Sequence, residues 1–194
     1  WTIRYPGADG ELGQTHVKYI DLDRSNTIGF NFDDKKTRDD IVVTEIHVPV
    51  NQPIRMNIRS QDVLHSATLA HFRVKMDAVP GMPTYFVFTP TVTTEQYRKN
   101  LGALDKNGEP LYSEWHEPSD PDDPESTPRW RAFNYELACA ELCGNGHYSM
   151  RRIVEIVSQE EYDRWLKEQT PYYISSIKKE APEEASVEAD NEEA

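Results

Sequence analysis

The chain has 194 residues, and its 34 Asp and Glu residues outnumber its 21 Lys and Arg residues, which gives a formal net charge of −13. This acidity argues against a nucleic-acid-binding protein, which needs a basic surface, and it favours a basic or neutral protein partner. No run of about 18 or more apolar residues occurs, so the sequence predicts no membrane-spanning helix. Because the chain begins at Trp1 without an initiator Met or a signal-peptide pattern, we expect it to be part of a longer protein.

The predicted elements are mainly short β-strands. Apolar and polar side chains alternate in the clearest of them, as expected for strands with one buried face, and the others are rich in β-branched and aromatic residues. In chain order the predicted strands are Thr2–Tyr5, His16–Leu22, Ile28–Phe32, Ile41–Val48, Pro53–Arg59, Phe72–Met76, Tyr85–Phe88, Phe133–Ala138 and Ile153–Val157. Many short strands separated by turn residues predict an all-β domain, either an antiparallel sandwich or a small barrel.

A long acidic insert interrupts this series at residues 93–131. It contains five prolines, and residues 105–125 within it carry eight acidic residues against one lysine. A connection of this length inside a compact domain is expected to be functional or disordered. A short helix near Glu95–Leu101 is compatible with its sequence.

One further helix is predicted at the C-terminal end of the domain. Ser158 and Glu161 form a capping box, and Tyr162, Trp165 and Leu166 then make one apolar stripe at helical spacing. Residues 169–194 turn acidic and contain few apolar side chains, so we expect a tail that is disordered from about residue 176. The predicted division is therefore a domain over residues 1–168 and a tail over residues 169–194.

The strongest functional signal is a cluster of soft metal ligands near the end of the domain. Cys139, Cys143, His147 and Met150 form a C-x3-C-x3-H-x2-M motif within twelve residues. Thiolate, imidazole and thioether ligands together select copper over hard cations such as Mg²⁺ or Ca²⁺. Two thiolates are sufficient to bridge two copper ions, and each ion would then need one imidazole. The second imidazole must come from elsewhere in the chain, and His65 is the best candidate, with His71 as its rival.

Other interpretations of the two cysteines explain less of the motif. A disulfide between Cys139 and Cys143 would leave His147 and Met150 without a role. Zinc is disfavoured because a thioether is a poor zinc ligand. A c-type haem attachment site requires C-x-x-C-H, and this chain contains none.

The motif and several other segments resemble the copper-A domain of subunit II of cytochrome c oxidase, in its bacterial form. The resemblance includes Asp62–Ser66, Phe72–Lys75, Asp77–Gly81 and Trp1–Gly7, and it extends over roughly residues 1–92 and 132–168. It implies a cupredoxin-like Greek-key β-barrel on the outer, periplasmic face of a membrane, anchored by helices that this chain does not contain.

The same resemblance implies the ligand set of a binuclear copper centre. Cys139 and Cys143 would be the bridging thiolates, His65 and Met150 would complete one copper, and His147 with the backbone carbonyl of Glu141 would complete the other. The Glu141 side chain resembles the family residue that reaches a magnesium ion at the interface with subunit I.

By resemblance, the function is electron transfer within an oxidase complex, an oxidoreductase and proton translocase. Electrons would arrive from cytochrome c and leave through subunit I to haem a for oxygen reduction, so this chain alone would only relay them. Trp1 matches a position just after the family's electron-entry tryptophan and is not assigned that role. Asp62, three residues before His65, is the predicted docking carboxylate for cytochrome c, although it could instead be a turn residue that bonds its own backbone.

Three alternatives from other classes stay open at this point. The copper-A domain of a nitrous-oxide reductase shares the ligand spacing, but its carbonyl ligand is typically contributed by an aromatic residue where this chain has Glu141. A free-standing copper carrier would leave the Trp1–Gly7 resemblance unexplained. A β-sandwich interaction module would make the whole motif a coincidence.

Overall fold

The computed structural model describes residues 1–23 and 25–177. The chain divides into two compact units. The large unit consists of Trp1 and residues 44–167, and the small unit consists of residues 2–43 together with the chain from residue 168 onward. No helix within the described part of the chain is both long and apolar enough to cross a membrane.

Within the described residues, the structure contains nine strands and four α-helices besides shorter 3-10 and π turns. The strands are β1 (Ile3–Tyr5), β2 (Ile41–Val43), β3 (Ile46–Pro49), β4 (Ile54–Ile58), β5 (His65–Leu69), β6 (Val74–Ala78), β7 (Thr84–Phe88), β8 (Tyr135–Cys139) and β9 (Arg151–Val157). The helices are α1 (Thr94–Leu101), α2 (Ser113–His116), α3 (Arg129–Ala132) and α4 (Gln159–Glu168). The predicted fold class, an all-β domain of cupredoxin-like type with one C-terminal helix, is confirmed in the large unit, and the insert adds three short helices.

A five-stranded sheet and a two-stranded ribbon form the large unit. The sheet has the order β3-β9-β8-β5-β6, in which β3 and β9 are parallel and all other pairs are antiparallel, while β4 pairs with β7. The alternating residues of β7 place Phe86 in the core and leave Tyr85 and Val87 exposed. Most of the five-stranded sheet's core residues lie on its central strands β9, β8 and β5. The core residues of this sheet include Ile46, Val48, Ala67, Leu69, Leu137, Val154 and Ile156.

The small unit is built around one buried carboxylate. Asp40 is fully buried, and it accepts hydrogen bonds from the Arg4 guanidinium and from the backbone N–H of Gly13. Strand β1, which contains Arg4, and strand β2, which directly follows Asp40, pair with each other in antiparallel orientation. Phe30 is also buried, where its ring contacts those of Phe32 and Tyr172.

Two weak strands that the sequence predicted in the small unit are wrong. His16–Leu22 contains a 3-10 turn at Val17–Tyr19, and Ile28–Phe32 contributes one bridge, between Thr15 and Phe30. The Asn26 side chain explains the difference: it donates to the carbonyls of Tyr19 and Phe30 and accepts from the Phe30 N–H. It therefore satisfies backbone groups that a strand partner would otherwise pair.

The prediction also differs from the structure at two further strands. The predicted strand Ile41–Val48 is two strands, β2 and β3, which belong to different sheets and are separated at residues 44–45. Strand β5 was not predicted, because His65–Leu69 lies between two partners in the sheet, and its buried residues Ser66, Ala67 and Leu69 do not alternate with polar ones.

The insert is folded against the sheet along part of its length. Thr93 caps α1 by accepting from the Gln96 N–H, as its position just before the predicted helix allows. Arg98 on α1 donates to the carbonyl of Phe133 and to the side chain of Asn134, just before β8. The predicted helix near Glu95–Leu101 is therefore confirmed.

The C-terminal helix and the tail differ in how much the structure describes. The capping box of α4 is present, with Ser158 and Glu161 bonded to each other's backbone N–H groups, and Trp165 stacks on His47 with ring centroids 4.3 Å apart. Of the predicted tail, the structure describes residues 169–177, where Tyr172 and Tyr173 contact Phe30 and Phe32. Residues 178–194 lie outside the described part, and the division at residue 168 stays a prediction.

Candidate metal centre

The sheet brings the predicted ligands to one end of three neighbouring strands. His65 is the first residue of β5, Cys139 is the last residue of β8, and Met150 directly precedes β9. Antiparallel pairing sets Ala67 opposite Cys139, and the Cys139 N–H donates to the Met150 carbonyl at 3.1 Å. Residues 140–149 therefore form a closed loop between β8 and β9, and this loop carries Cys143 and His147.

Local backbone structure holds this loop in place. The Ala140 N–H donates to the Ser66 carbonyl at 2.9 Å, which ties the loop to β5. Gly144 has φ of 119°, a conformation that L side chains rarely adopt, and its carbonyl accepts from the His147 N–H. His147–Ser149 then form a 3-10 turn that ends at Met150.

The side-chain donor atoms lie close together. The Sγ atoms of Cys139 and Cys143 are 3.8 Å apart. His65 Nδ1 lies 3.9 Å from Cys139 Sγ, and His147 Nδ1 lies 3.5 Å from Cys143 Sγ. Two further predicted ligand atoms lie beside the sulfurs: Met150 Sδ is 3.3 Å from Cys143 Sγ, and the Glu141 carbonyl is 3.2 Å from Cys139 Sγ.

This donor set fits a soft or borderline metal. His65, Cys139 and Cys143 have ligand atoms within 4.8 Å of one another, so they form a group that could hold a metal ion. Both cysteines are free and half-buried. Sulfur and imidazole donors without a carboxylate among them match copper better than magnesium or calcium.

Hydrogen bonding prepares Cys139 to bind metal as a thiolate. Burial alone would raise the pKa of its thiol, but hydrogen bonds with the backbone of Ser66 and Glu141 and with the side chains of His65 and His147 lower that pKa to about 6. Partial burial and the adjacent Cys139 sulfur raise the pKa of Cys143 instead. The pair therefore contains one thiol that ionises readily and one that loses its proton less easily.

Asp62 orients the His65 ring. Its carboxylate lies 2.8 Å from His65 Nε2, and its side chain is 70 % exposed, whereas that of His65 is 11 % exposed. Burial tends to lower the pKa of His65, but the hydrogen bonds with Asp62 and Cys139 raise it overall. When Nε2 carries the proton shared with Asp62, the Nδ1 lone pair faces the cysteine sulfurs and is free for a metal.

Sequence reasoning did not identify this role of Asp62. It considered a docking residue or a turn residue that bonds its own backbone, and the structure places the carboxylate on the ring of a predicted ligand. The available signal was the Asp-x-x-His spacing at the start of a strand. His65 itself stands where a turn ends and β5 begins.

Two other side chains named from the sequence, those of His71 and Glu141, are exposed. His71 is exposed and sits at the edge of an aromatic cluster, with its ring centroid 4.9 Å from that of Phe133 and 5.6 Å from that of Tyr135. The Glu141 side chain is exposed, although its backbone carbonyl lies at the centre. An exposed carboxylate there is accessible to an ion or partner outside this chain.

Comparisons with known proteins agree with the sequence resemblance. Residues 14–97 match the family model described as "Cytochrome C oxidase subunit II, periplasmic domain", a range that includes His65 and ends before Cys139. The chain is 33% identical over 174 residues to the alternative cytochrome c oxidase subunit 2 of Bradyrhizobium diazoefficiens, covering 89% of this chain and 48% of that protein. It is 29% identical over 147 residues to cytochrome c oxidase subunit 2 of Cereibacter sphaeroides, covering 75% of this chain and 36% of that protein.

The similarity extends over only part of each relative. The chain spans about half the length, or less, of the curated relatives it matches. A solved structure of the periplasmic domain of subunit II of cytochrome oxidase from Bradyrhizobium japonicum aligns with a TM-score of 0.42 and 24% identity, over 72% of this chain and 68% of that one. The family model and the curated relatives show that the chain is similar to cytochrome c oxidase subunit II, and residues 14–97 match the periplasmic domain of that family.

Proposed function

We propose that this chain is the copper-A electron-transfer domain of a cytochrome c oxidase. The observation that carries the proposal is the pair of cysteine sulfurs 3.8 Å apart with one imidazole nitrogen beside each. Similarity to the cytochrome c oxidase subunit II family supports the same proposal and favours it over a nitrous-oxide reductase domain, a copper carrier or an interaction module.

The ligand assignment follows the resemblance to the copper-A domain of subunit II. Cys139 and Cys143 would be shared between two copper ions, with His65 and Met150 completing one ion and His147 and the Glu141 carbonyl the other. Bound there, the two coppers would supply one-electron redox chemistry. The contacts of Met150 with Cys143 and of His65 with Cys139 are compatible with this division, because each pairs a terminal ligand with a shared thiolate.

The protein's own contribution is a rigid ligand frame. An electron relay works fastest when its ligands move little between oxidation states. Here the frame consists of paired strands and of the bonds from Cys139 N–H to the Met150 carbonyl and from Ala140 N–H to the Ser66 carbonyl. Partial burial of the donors and hydrogen bonds to them would then set the potential.

The partners in this proposal are those of the assembled oxidase. Cytochrome c would donate electrons at the exposed edge near Asp62, and subunit I would accept them at haem a, where oxygen is reduced. The exposed Glu141 carboxylate would reach a magnesium ion shared with subunit I. The domain would lie on the periplasmic face of the bacterial membrane, and the complex, not this chain alone, would be the oxidoreductase and proton translocase.

Copper loading tests the proposal directly. The chain should take up two coppers, and its EPR spectrum should show hyperfine structure from two equivalent copper nuclei. Cys139→Ser and Cys143→Ser should each abolish that spectrum, because one thiolate cannot be shared in place of two. Uptake of one copper per chain, or of zinc in preference to copper, would contradict the proposal.

A kinetic measurement tests the direction of electron flow. Reduced cytochrome c mixed with the oxidised, copper-loaded chain should be oxidised in a second-order reaction that slows with added salt. The copper-free chain is the matched control and should not react. If the copper-loaded chain did not react, the proposed electron-transfer role would be contradicted, whereas the proposed copper site would not.

A further inference from the structure

Trp1 contacts two of the predicted ligands of one copper. Its indole N–H donates to the Met150 carbonyl at 3.1 Å, and its ring centroid lies 5.8 Å from that of His65, with the rings tilted by 59°. These partners are 149 and 64 positions away in the sequence, so tertiary folding alone brings them together. Trp1 is partly buried in this position.

The Met150 carbonyl is fixed by two donors. It accepts the Cys139 N–H at 3.1 Å as well as the Trp1 indole N–H at the same distance. Met150 ends a 3-10 turn with φ of −78° and ψ of 66°, and its own N–H donates to the His147 carbonyl at 3.2 Å. This bond and the two bonds to its carbonyl together hold the backbone from which the thioether extends.

The His65 ring is held at its edge and on one side. Asp62 accepts at Nε2, while the Trp1 ring limits the space into which the imidazole could rotate. Trp1 thus acts on both His65 and Met150, which the proposed ligand set assigns to the same copper, and through the Met150 carbonyl it is also linked to Cys139.

From these contacts we propose that Trp1 is a positioning residue of the metal centre, which fixes the Met150 thioether and the His65 imidazole relative to the cysteine pair. The inference rests on the proposed copper site. Replacing a residue that hydrogen-bonds to a metal-ligating residue commonly lowers metal affinity by about 10- to 100-fold. A thioether is a weak copper ligand whose distance tunes the site, so small displacements of Met150 should be visible in the spectrum.

The test compares Trp1→Phe with the wild-type chain. Phenylalanine keeps a ring beside His65 and removes the N–H that holds Met150. The variant should still bind two coppers, release them to a competing chelator about ten-fold faster, and show altered EPR hyperfine splitting and optical bands. Trp165→Phe is the matched control, since that ring stacks on His47 and its replacement should leave the copper spectrum unchanged.

The outcomes separate the inference from the proposed function. If the wild-type chain binds no copper pair, the proposed function fails. If it binds two coppers and Trp1→Phe matches it in copper release and spectrum, or if Trp165→Phe changes both as much, the positioning role is wrong. Unfolding of the copper-free variants by urea shows whether Trp1→Phe acts through the site or through general stability, and a loss confined to stability would also overturn it.

A second measurement needs no variant. The chain has four tryptophans, so ¹⁵N-labelled wild-type protein should give four indole N–H signals in its NMR spectrum. Loading with copper should shift or broaden one of them strongly, because Trp1 bonds to a ligand residue. If all four indole signals keep their positions and widths on loading, the inference is refuted.

Discussion

The two histidines nearest each other in the proposed ligand region, His65 and His71, have different surroundings. His65 Nδ1 lies 3.9 Å from a cysteine sulfur, whereas the His71 ring faces Phe133 and Tyr135. We therefore expect His65→Ala to remove one imidazole and destroy the two-copper EPR pattern. His71→Ala, the matched control, should leave that pattern nearly intact. The reverse result would mean that the ligand has been assigned to the wrong end of β5.

The hydrogen bond between His65 and Asp62 should make the proposed copper binding depend on pH. The pKa of His65 is raised, so protonated His65 stabilises the copper-free fold below the ordinary histidine pKa, and that stabilisation is lost as pH rises through the raised value. Copper needs the neutral ring, so its affinity should increase through the same pH range with release of a proton.

Asp62→Asn tests this linkage. The amide removes the negative charge, so the midpoint of copper affinity against pH should move to lower pH, and affinity itself should fall by about 10- to 100-fold. Asp77→Asn is a suitable control, because Asp77 bonds Ser66 and does not bond His65. An unchanged midpoint in Asp62→Asn would show that the carboxylate does not control the ring.

At the scale of elements, one hydroxyl joins the insert to the sheet. Thr94 is fully buried at the start of α1, and its Oγ1 accepts the Ile156 N–H of β9 at 2.8 Å. Thr94→Val should leave that buried N–H without a partner and lower the free energy of unfolding by about 1–3 kcal/mol. Thr94→Ser keeps the hydroxyl and should cost clearly less. Urea unfolding of both copper-free variants measures the two losses in free energy of unfolding. Equal losses would mean that packing, not the hydrogen bond, matters at this position.

Strands with alternating residues or with many β-branched and aromatic residues could be predicted from sequence, whereas β5 has neither feature and was missed. β4 and β7 expose every second side chain, and their predicted positions agree with the structure to within one or two residues. β5 is covered by neighbours and shows no such period. The break between β2 and β3 depends on which sheet each half joins, a choice made by tertiary contacts that local sequence does not encode.

The site shows the same division between local and distant information. Cys139, Cys143, His147 and Met150 lie within twelve residues, and their spacing alone indicated a copper site. The Trp1 indole bond to Met150 joins two residues that are 149 positions apart in the sequence. No spacing rule could have predicted it, because its existence depends on how the whole unit folds.

At the scale of the whole molecule, charge close to the metal should govern docking more than total charge. The screening length at physiological salt is about 8 Å, and Asp62 touches a predicted ligand. In the assembled oxidase, Asp62→Asn should therefore slow association with cytochrome c and weaken its salt dependence more than deletion of residues 176–194 does, although that tail contributes many of the acidic residues.

Stopped-flow rates across ionic strengths provide the measurement. Because Asp62 also bonds His65, the EPR spectrum of Asp62→Asn must be recorded alongside, so that a damaged copper site is not mistaken for lost steering. If the tail deletion flattens the salt dependence and Asp62→Asn does not, the tail is the steering element and Asp62 serves only the His65 ring.

The anchoring of the insert has a consequence for how the family could have diverged. Thr94 satisfies a backbone donor of β9, and Arg98 satisfies the Phe133 carbonyl just before β8. A related protein with a shorter insert would lose the hydrogen-bond partners of both backbone groups at once. Such a protein should therefore carry compensating replacements near residues 133 and 156. A change in the length of the insert should thus be accompanied by changes in the strands that adjoin the predicted metal ligands.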